Sequence, residues 1–141
     1  LDLRYALAVV IALDGVAVGH RWGGTMGART PQEVFQHHAE ALVAADLDGI
    51  VDDYFEDAIF ITPAGIKRGK DGIREAFTQL LSELPSAEWE LNTTLYEEDI
   101  MLLEWTASSS ANRVDDGIDT FVFRDGEIRV QTLRYTLQPQ G

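Results

Sequence analysis

The spacing of apolar residues changes at Pro85, and no other feature of the chain limits its fold as strongly. Before Pro85 apolar positions recur mostly every three or four residues, the period of helices that bury one face. After it they alternate, the period of half-buried strands. The first helix is predicted over residues 31–45. Thr30 caps it, Pro31 occupies its first turn and Glu33 completes a capping box. Val34, Phe35, His38, Ala39 and Leu42 share its inner face, so a histidine lies within the apolar stripe. A short helix restarts at Asp46, with Ile50, Val51, Tyr54 and Phe55 inward. A strand follows over 58–62, stopped by Pro63-Ala64-Gly65. Asp71 is read as the cap of a third helix to about residue 84, with Ile73, Phe77, Leu80, Leu81 and Leu84 inward. Strands are then predicted over 89–96, 100–109, 118–124 and 127–137. An acidic turn at 97–99, a polar turn at 113–117 and an Asp125-Gly126 hairpin connect them. Helices followed by an antiparallel meander imply an α+β fold, with the helices packed on one face of a curved sheet.

A chain of 141 residues has room for one domain and buries enough surface to need no covalent staple. It has no cysteine, which excludes disulfides, thiolate catalysis and Cys-held metal clusters. Acidic residues outnumber basic ones 24 to 11, a net charge of −13 that repels phosphate backbones and anionic lipid. Neither nucleic acid nor membrane is therefore an expected partner, and a cytoplasmic location is expected. Residues 5–13 form an apolar run too short to span a bilayer. Asp14 follows it, and no clean Ala-x-Ala cleavage site appears. Residues 1–26 are read as an N-terminal extension, with Met26 a second plausible start, and residues 27–141 as the domain.

The strand over 118–124 carries the most chemical information. Alternation puts Asp119, Phe121 and Phe123 on one face, so a carboxyl is expected in an apolar interior. There it must find a partner or keep its proton. His38, on the apolar face of the first helix, is a possible partner; a hydrogen-bonded core histidine is the plain alternative. His37 points to another face and is read as solvated. Tyr54, Tyr96, Trp105 and Tyr135 could line a pocket with their polar tips, or be ordinary core. The two histidines lack metal-ligand spacing, and no calcium loop is present, so no metal is expected. Residues 67–71 form a charged loop whose single glycine cannot cradle phosphate, and Ser108-Ser109-Ser110 lacks a nucleophile elbow. No cofactor is called for.

Several of these residues together resemble the nuclear transport factor 2-like superfamily, in its SnoaL-like and ketosteroid isomerase-like branches. They are the run Ala45-Asp46-Leu47-Asp48-Gly49-Ile50-Val51, then Tyr54, Asp57-Ala58, Pro63 and Gly65. Gly69 and Ile73 before a helix, and Asp119, Phe123, Gly126 and Ile128 late in the chain, complete the pattern. The resemblance covers residues 30–137. It implies a cone-shaped barrel, cystatin-like, in which a curved and mainly antiparallel sheet wraps around three N-terminal helices. It also implies an apolar cavity and a homodimer. In ketosteroid isomerases an Asp removes a proton next to a carbonyl, while a Tyr and a protonated Asp hold the resulting oxyanion. Carried over, the hydrogen-bonding Asp falls on Asp119, the Tyr position holds His38, and the general-base position before Pro63 holds Thr62.

A threonine hydroxyl is too weak a base to deprotonate carbon, so the isomerase base is missing from its family position. One expectation is an isomerase or cyclase acting on a small apolar, polyketide- or steroid-like carbonyl compound. In it Asp119 exchanges the proton and His38 orients it or polarises the substrate oxygen. Thr62, Tyr54, Trp105, Phe121 and Tyr135 would contact the substrate. The alternative is a non-catalytic domain of the same fold that binds a small ligand or dimerises. A third possibility is a structural association domain whose cavity is plugged by Trp105 or Tyr135. Fold alone does not choose among them.

Overall fold

The computed structural model describes residues 28–140, so the expected extension over 1–26 lies outside the described residues. Helix α1, Pro31–Val43, begins as its sequence dictates. The Thr30 hydroxyl accepts from the Glu33 amide and the Glu33 carboxylate accepts from the Thr30 amide. Val34, Phe35, His38, Ala39 and Ala41 are buried on it. Helix α2, Leu47–Asp52, is capped by the Asp46 carboxylate on the Gly49 amide.

The expected extension of α2 through Tyr54 and Phe55 does not occur. Both belong to strand β1, Tyr54–Thr62. The Ile128 amide donates to the Asp53 carbonyl at 2.8 Å and Tyr54 pairs with Ile128, so a strand distant in sequence captures the chain just where the helix ends. Strand β2, Gly65–Arg68, replaces the expected loop and pairs antiparallel with β1. Helix α3, Gly69–Glu83, starts two residues before Asp71, which sits in its first turn rather than at its cap. Ile73, Phe77 and Leu80 are its buried stripe, and Leu84 is buried just beyond its end.

Strands β3 (Glu88–Glu97), β4 (Ile100–Ser108), β5 (Asn112–Arg124) and β6 (Glu127–Arg134) form the meander that alternation predicts. The expected turn at 113–117 is instead the start of β5. The chain reverses around Ser109, whose amide and hydroxyl both donate to the Asn112 carbonyl. Asp125 and Gly126 both have positive φ, 51° and 79°, as a tight two-residue hairpin requires. Beyond β6 a two-residue β7, Gln138–Pro139, pairs with β5.

The sheet runs in the order β2-β1-β6-β5-β4-β3 and is antiparallel except between β1 and β6. Its path has two ends, so the expected cone-shaped barrel stays an unclosed, curved sheet. Register shifts interrupt the pairings β1–β6, β3–β4, β4–β5 and β5–β6, and such bulges bend and coil the strands that carry them. The helices pack inside the curve, where Phe35, Phe77, Phe121, Phe123 and Trp105 belong to the buried core. The fold is α+β, with three helices against a mainly antiparallel sheet. Among the described residues, no helix is long and apolar enough to cross a membrane.

Candidate functional site

Alternation on β5 buries Asp119 with Phe121 and Phe123, as its sequence requires. The Asp119 side chain is 4% exposed. Its neighbours on the partner strands supply two donors. Trp105 Nε1 on β4 donates to Oδ1 and Gln131 Nε2 on β6 donates to Oδ2, each at 2.6 Å. Burial pushes the Asp119 carboxyl from 3.8 up to about 7, while the hydrogen bonds from Gln131 and Trp105 pull it down. Gln131 in turn accepts a hydrogen bond at Oε1 from the Tyr54 hydroxyl, so Tyr54, Gln131 and Asp119 form one chain of directed bonds.

Trp105 reaches the carboxylate because position 117 carries no side chain. A Cβ on Gly117, its cross-strand neighbour, would lie 2.2 Å from Trp105 Cε2. Trp89 and Tyr135 pack against the indole, at ring-centroid distances of 5.4 and 5.8 Å.

His38 is 3% exposed and surrounded by the rings of Phe35, Tyr54, Phe77 and Phe121, with centroids 5.5 to 6.2 Å away. Its Nδ1 is buried without a hydrogen-bond partner. Burial, reinforced by the neighbouring His37, lowers its pKa from 6.5 to about 4, so the ring is neutral at physiological pH. The possible hydrogen bond between His38 and Asp119 is not formed: the carboxylate is held by Trp105 and Gln131, and His38 Nδ1 has no partner. The two residues do line one apolar cavity of about 40 Å³ between helices and sheet, together with Phe121 and Trp105. Such a space holds a few water molecules and no ring.

A second pocket of about 330 Å³ opens beside it. Thr62 and Tyr135 lie on its wall, and Phe77, Leu80 and Leu133 separate it from the inner cavity. The Thr62 hydroxyl accepts from the Ala64 amide in its own turn, and the Tyr135 hydroxyl donates to Glu83 at 2.5 Å. Burial and Glu83 together hold the Tyr135 hydroxyl protonated far above neutrality. Tyr54 lines neither space; it is fully buried behind Gln131.

Two features of the site are not visible in the sequence. Gln131 lies in a strand whose alternation places it inward, but nothing local marks it as the link between Tyr54 and Asp119. The second is a cluster on another face of α1, beside its N-terminal half. The buried Asp53 carboxylate accepts from His37 Nδ1 at 2.8 Å and from Arg29 Nη1 at 3.1 Å. His37, expected to be solvated, is 47% exposed and held by that pair. Burial raises the Asp53 carboxyl, against the pull of His37 and Arg29. Among the described residues no group of three or more His, Cys, Asp or Glu could hold a metal ion.

The SnoaL-like domain family matches this chain over residues 34–131. Among solved structures, an NTF-2-like protein of unknown function from Burkholderia xenovorans LB400 is 20% identical. The match covers 75% of this chain and 82% of that one, with a TM-score of 0.65. The epoxide hydrolase/cyclase-like enzyme SalBIII, described in pyran ring formation in the polyether salinomycin, is 17% identical. It matches over 75% of this chain and 90% of its own, with a TM-score of 0.65. TerC, crystallised with polyporic acid, is 16% identical over 75% and 91% of the two chains, with a TM-score of 0.64. At these identities the likeness speaks for the fold. No curated protein matches the chain.

Proposed function

Because this chain belongs to the SnoaL-like domain family of the NTF2-like superfamily, we propose that it is an acid–base isomerase or cyclase of a small carbonyl compound. The observation that carries this reading is a buried carboxyl, with a pKa of about 7, on the wall of an apolar cavity shared with a neutral, unpartnered histidine. A general base works best when its pKa lies near the working pH, and apolar burial is how a carboxyl reaches that range. SalBIII, a cyclase-like enzyme, is built on the same fold.

In this mechanism Asp119 takes a proton from the carbon beside the carbonyl. The C–H electrons form an enolate, and the charge that builds on oxygen receives a hydrogen bond from the His38 ring N–H. Where the substrate carries a C=C bond one carbon further on, the enolate extends over it, and Asp119 returns the proton to the far carbon, which moves the double bond next to the re-formed carbonyl. Alternatively the enolate carbon attacks a second carbonyl of the same molecule, which closes a ring, and the new alkoxide takes the proton. Trp105 and Phe121 contact the reacting group. The rest of the substrate lies in the larger pocket against Thr62 and Tyr135, once the wall of Phe77, Leu80 and Leu133 gives way. Asp119→Asn should lower turnover of an accepted substrate roughly 10²–10⁴-fold. Unchanged turnover by the folded variant would sink the assignment.

The small inner cavity favours a second reading, a non-catalytic domain that binds an apolar ligand or dimerises. A compound recovered unaltered from a stoichiometric complex after long incubation would favour it over the first. In either case we propose a homodimer through the sheet face turned away from the helices, where exposed Ile61 and Ile118 border one shallow depression with Thr120 and Thr132.

A further inference from the structure

We propose that Gln131 is a positioning residue for Asp119, fixing through Tyr54 which way the carboxylate faces and how tightly it holds its proton. This rests on the reading of Asp119 as the proton-exchanging group. Gln131 sits in the middle of the sheet, on the strand between β1 and β5, paired in register with Phe60 and Phe121. It is 1% exposed. A buried amide between two phenylalanines is costly unless every polar atom is used, and an apolar residue there would satisfy packing alone.

Gln131 spends both ends of its amide on the site. Its carbonyl oxygen accepts from the Tyr54 hydroxyl, which leaves the NH₂ pointing at Asp119 Oδ2. An amide has one accepting and one donating end, and the ionised carboxylate can only accept, so the NH₂ faces Asp119 while the Tyr54 hydroxyl anchors the carbonyl end. Trp105, a donor only, holds the other oxygen. The carboxyl thus meets a donor on each side, cannot turn without breaking one of them, and keeps its remaining lone pairs for a substrate proton. Donors favour the ionised form and so act against burial.

The other titratable groups around Asp119 are His38 on α1, Tyr54 on β1 and Tyr135 beyond β6, with Glu83 of α3 behind Tyr135. His38 titrates near 4, and both tyrosines lie above their ordinary range. A titration centred near neutrality at this site therefore belongs to Asp119.

The test is Gln131→Met, similar in length but without a donor, with Tyr54→Phe as a second variant that keeps the amide and removes its anchor. Asp119 is followed by the NMR shift of its carboxyl carbon across pH 5 to 9, in the full chain without ligand. The expected result for Gln131→Met is a rise of about one pH unit or more in the midpoint, leaving about a tenth of Asp119 ionised at pH 7 instead of about half. Tyr54→Phe should raise it by less and shift the Gln131 side-chain amide resonances. A merely structural role would lower thermal stability without moving the midpoint. A folded Gln131→Met protein with an unmoved midpoint would overturn the proposal. If that variant does not fold, an unmoved midpoint and amide signal in Tyr54→Phe would do the same. Neither readout uses turnover, so failure here is distinct from failure of the catalytic reading, which Asp119→Asn decides.

Discussion

Asp119→Asn replaces one buried carboxylate oxygen with an NH₂ group, and the consequence for stability depends on pH. In the native protein Asp119 holds its proton up to about 7, against 3.8 for an ordinary aspartate. Between those values the folded state carries a proton that the unfolded chain has released. Stability is therefore fully present below about pH 3.8 and is lost as pH rises through about 7. Each pH unit in that window is worth about 1.4 kcal/mol, so ionising Asp119 costs the fold about 4 kcal/mol in all, of which roughly half falls between pH 5 and 7. The substituted asparagine does not titrate. With Trp105 and the Gln131 amide oriented as in the native protein, its NH₂ faces Trp105 Nε1–H or the Gln131 NH₂, two donors meeting with no acceptor between them, at a pH-independent cost of about 1–3 kcal/mol. Urea unfolding followed by tryptophan fluorescence should find the variant less stable than wild type at pH 5, with the gap closing by about 2 kcal/mol by pH 7. Subtracting the two curves removes every other titrating group, including the acidic surface. A gap that stays constant from pH 5 to 8 would show that Asp119 is ionised throughout, and the basis for its acid–base role would be gone.

Gly117→Ala should destabilise the protein by about 1–3 kcal/mol, because a Cβ 2.2 Å from Trp105 Cε2 forces the indole off Asp119. A shifted tryptophan emission would accompany it, and native emission with native stability would contradict the packing argument. Asp53→Ala removes the carboxylate that holds Arg29 and His37, which water can then solvate, and should cost about 0.5–1.5 kcal/mol while leaving the inner cavity unchanged. Thermal unfolding at pH 7 measures it. Ile61→Lys combined with Ile118→Lys places two charges on the exposed sheet face and should turn a dimer into a monomer in sedimentation equilibrium. A dimer of unchanged strength would remove that face as the interface.

Much of the fold was legible because it follows from local chemistry. The Thr30–Glu33 capping box, the stripe that carries Phe35 and His38, the Asp125-Gly126 hairpin and the alternation that buries Asp119 are each set by residues within a few positions of one another. A reading of one segment at a time captures such effects. It also captured that Asp119 and His38 face a common interior.

What lay beyond it was decided by residues far apart in sequence. Tyr54 and Phe55 have helical spacing with Ile50 and Val51, yet parallel pairing with β6 draws them into a strand. Backbone hydrogen bonds to a chain more than 70 residues away outweigh a weak local preference. The partners of Asp119 are likewise Trp105 and Gln131, 14 and 12 residues distant. They meet it only because adjacent strands in register bring inward side chains together. The amino-acid pattern thus determined that a carboxyl would be buried. The tertiary structure decided which donors meet it and how little space they leave, because hydrogen-bond partners and cavity volume belong to the packing of whole elements rather than to any one segment.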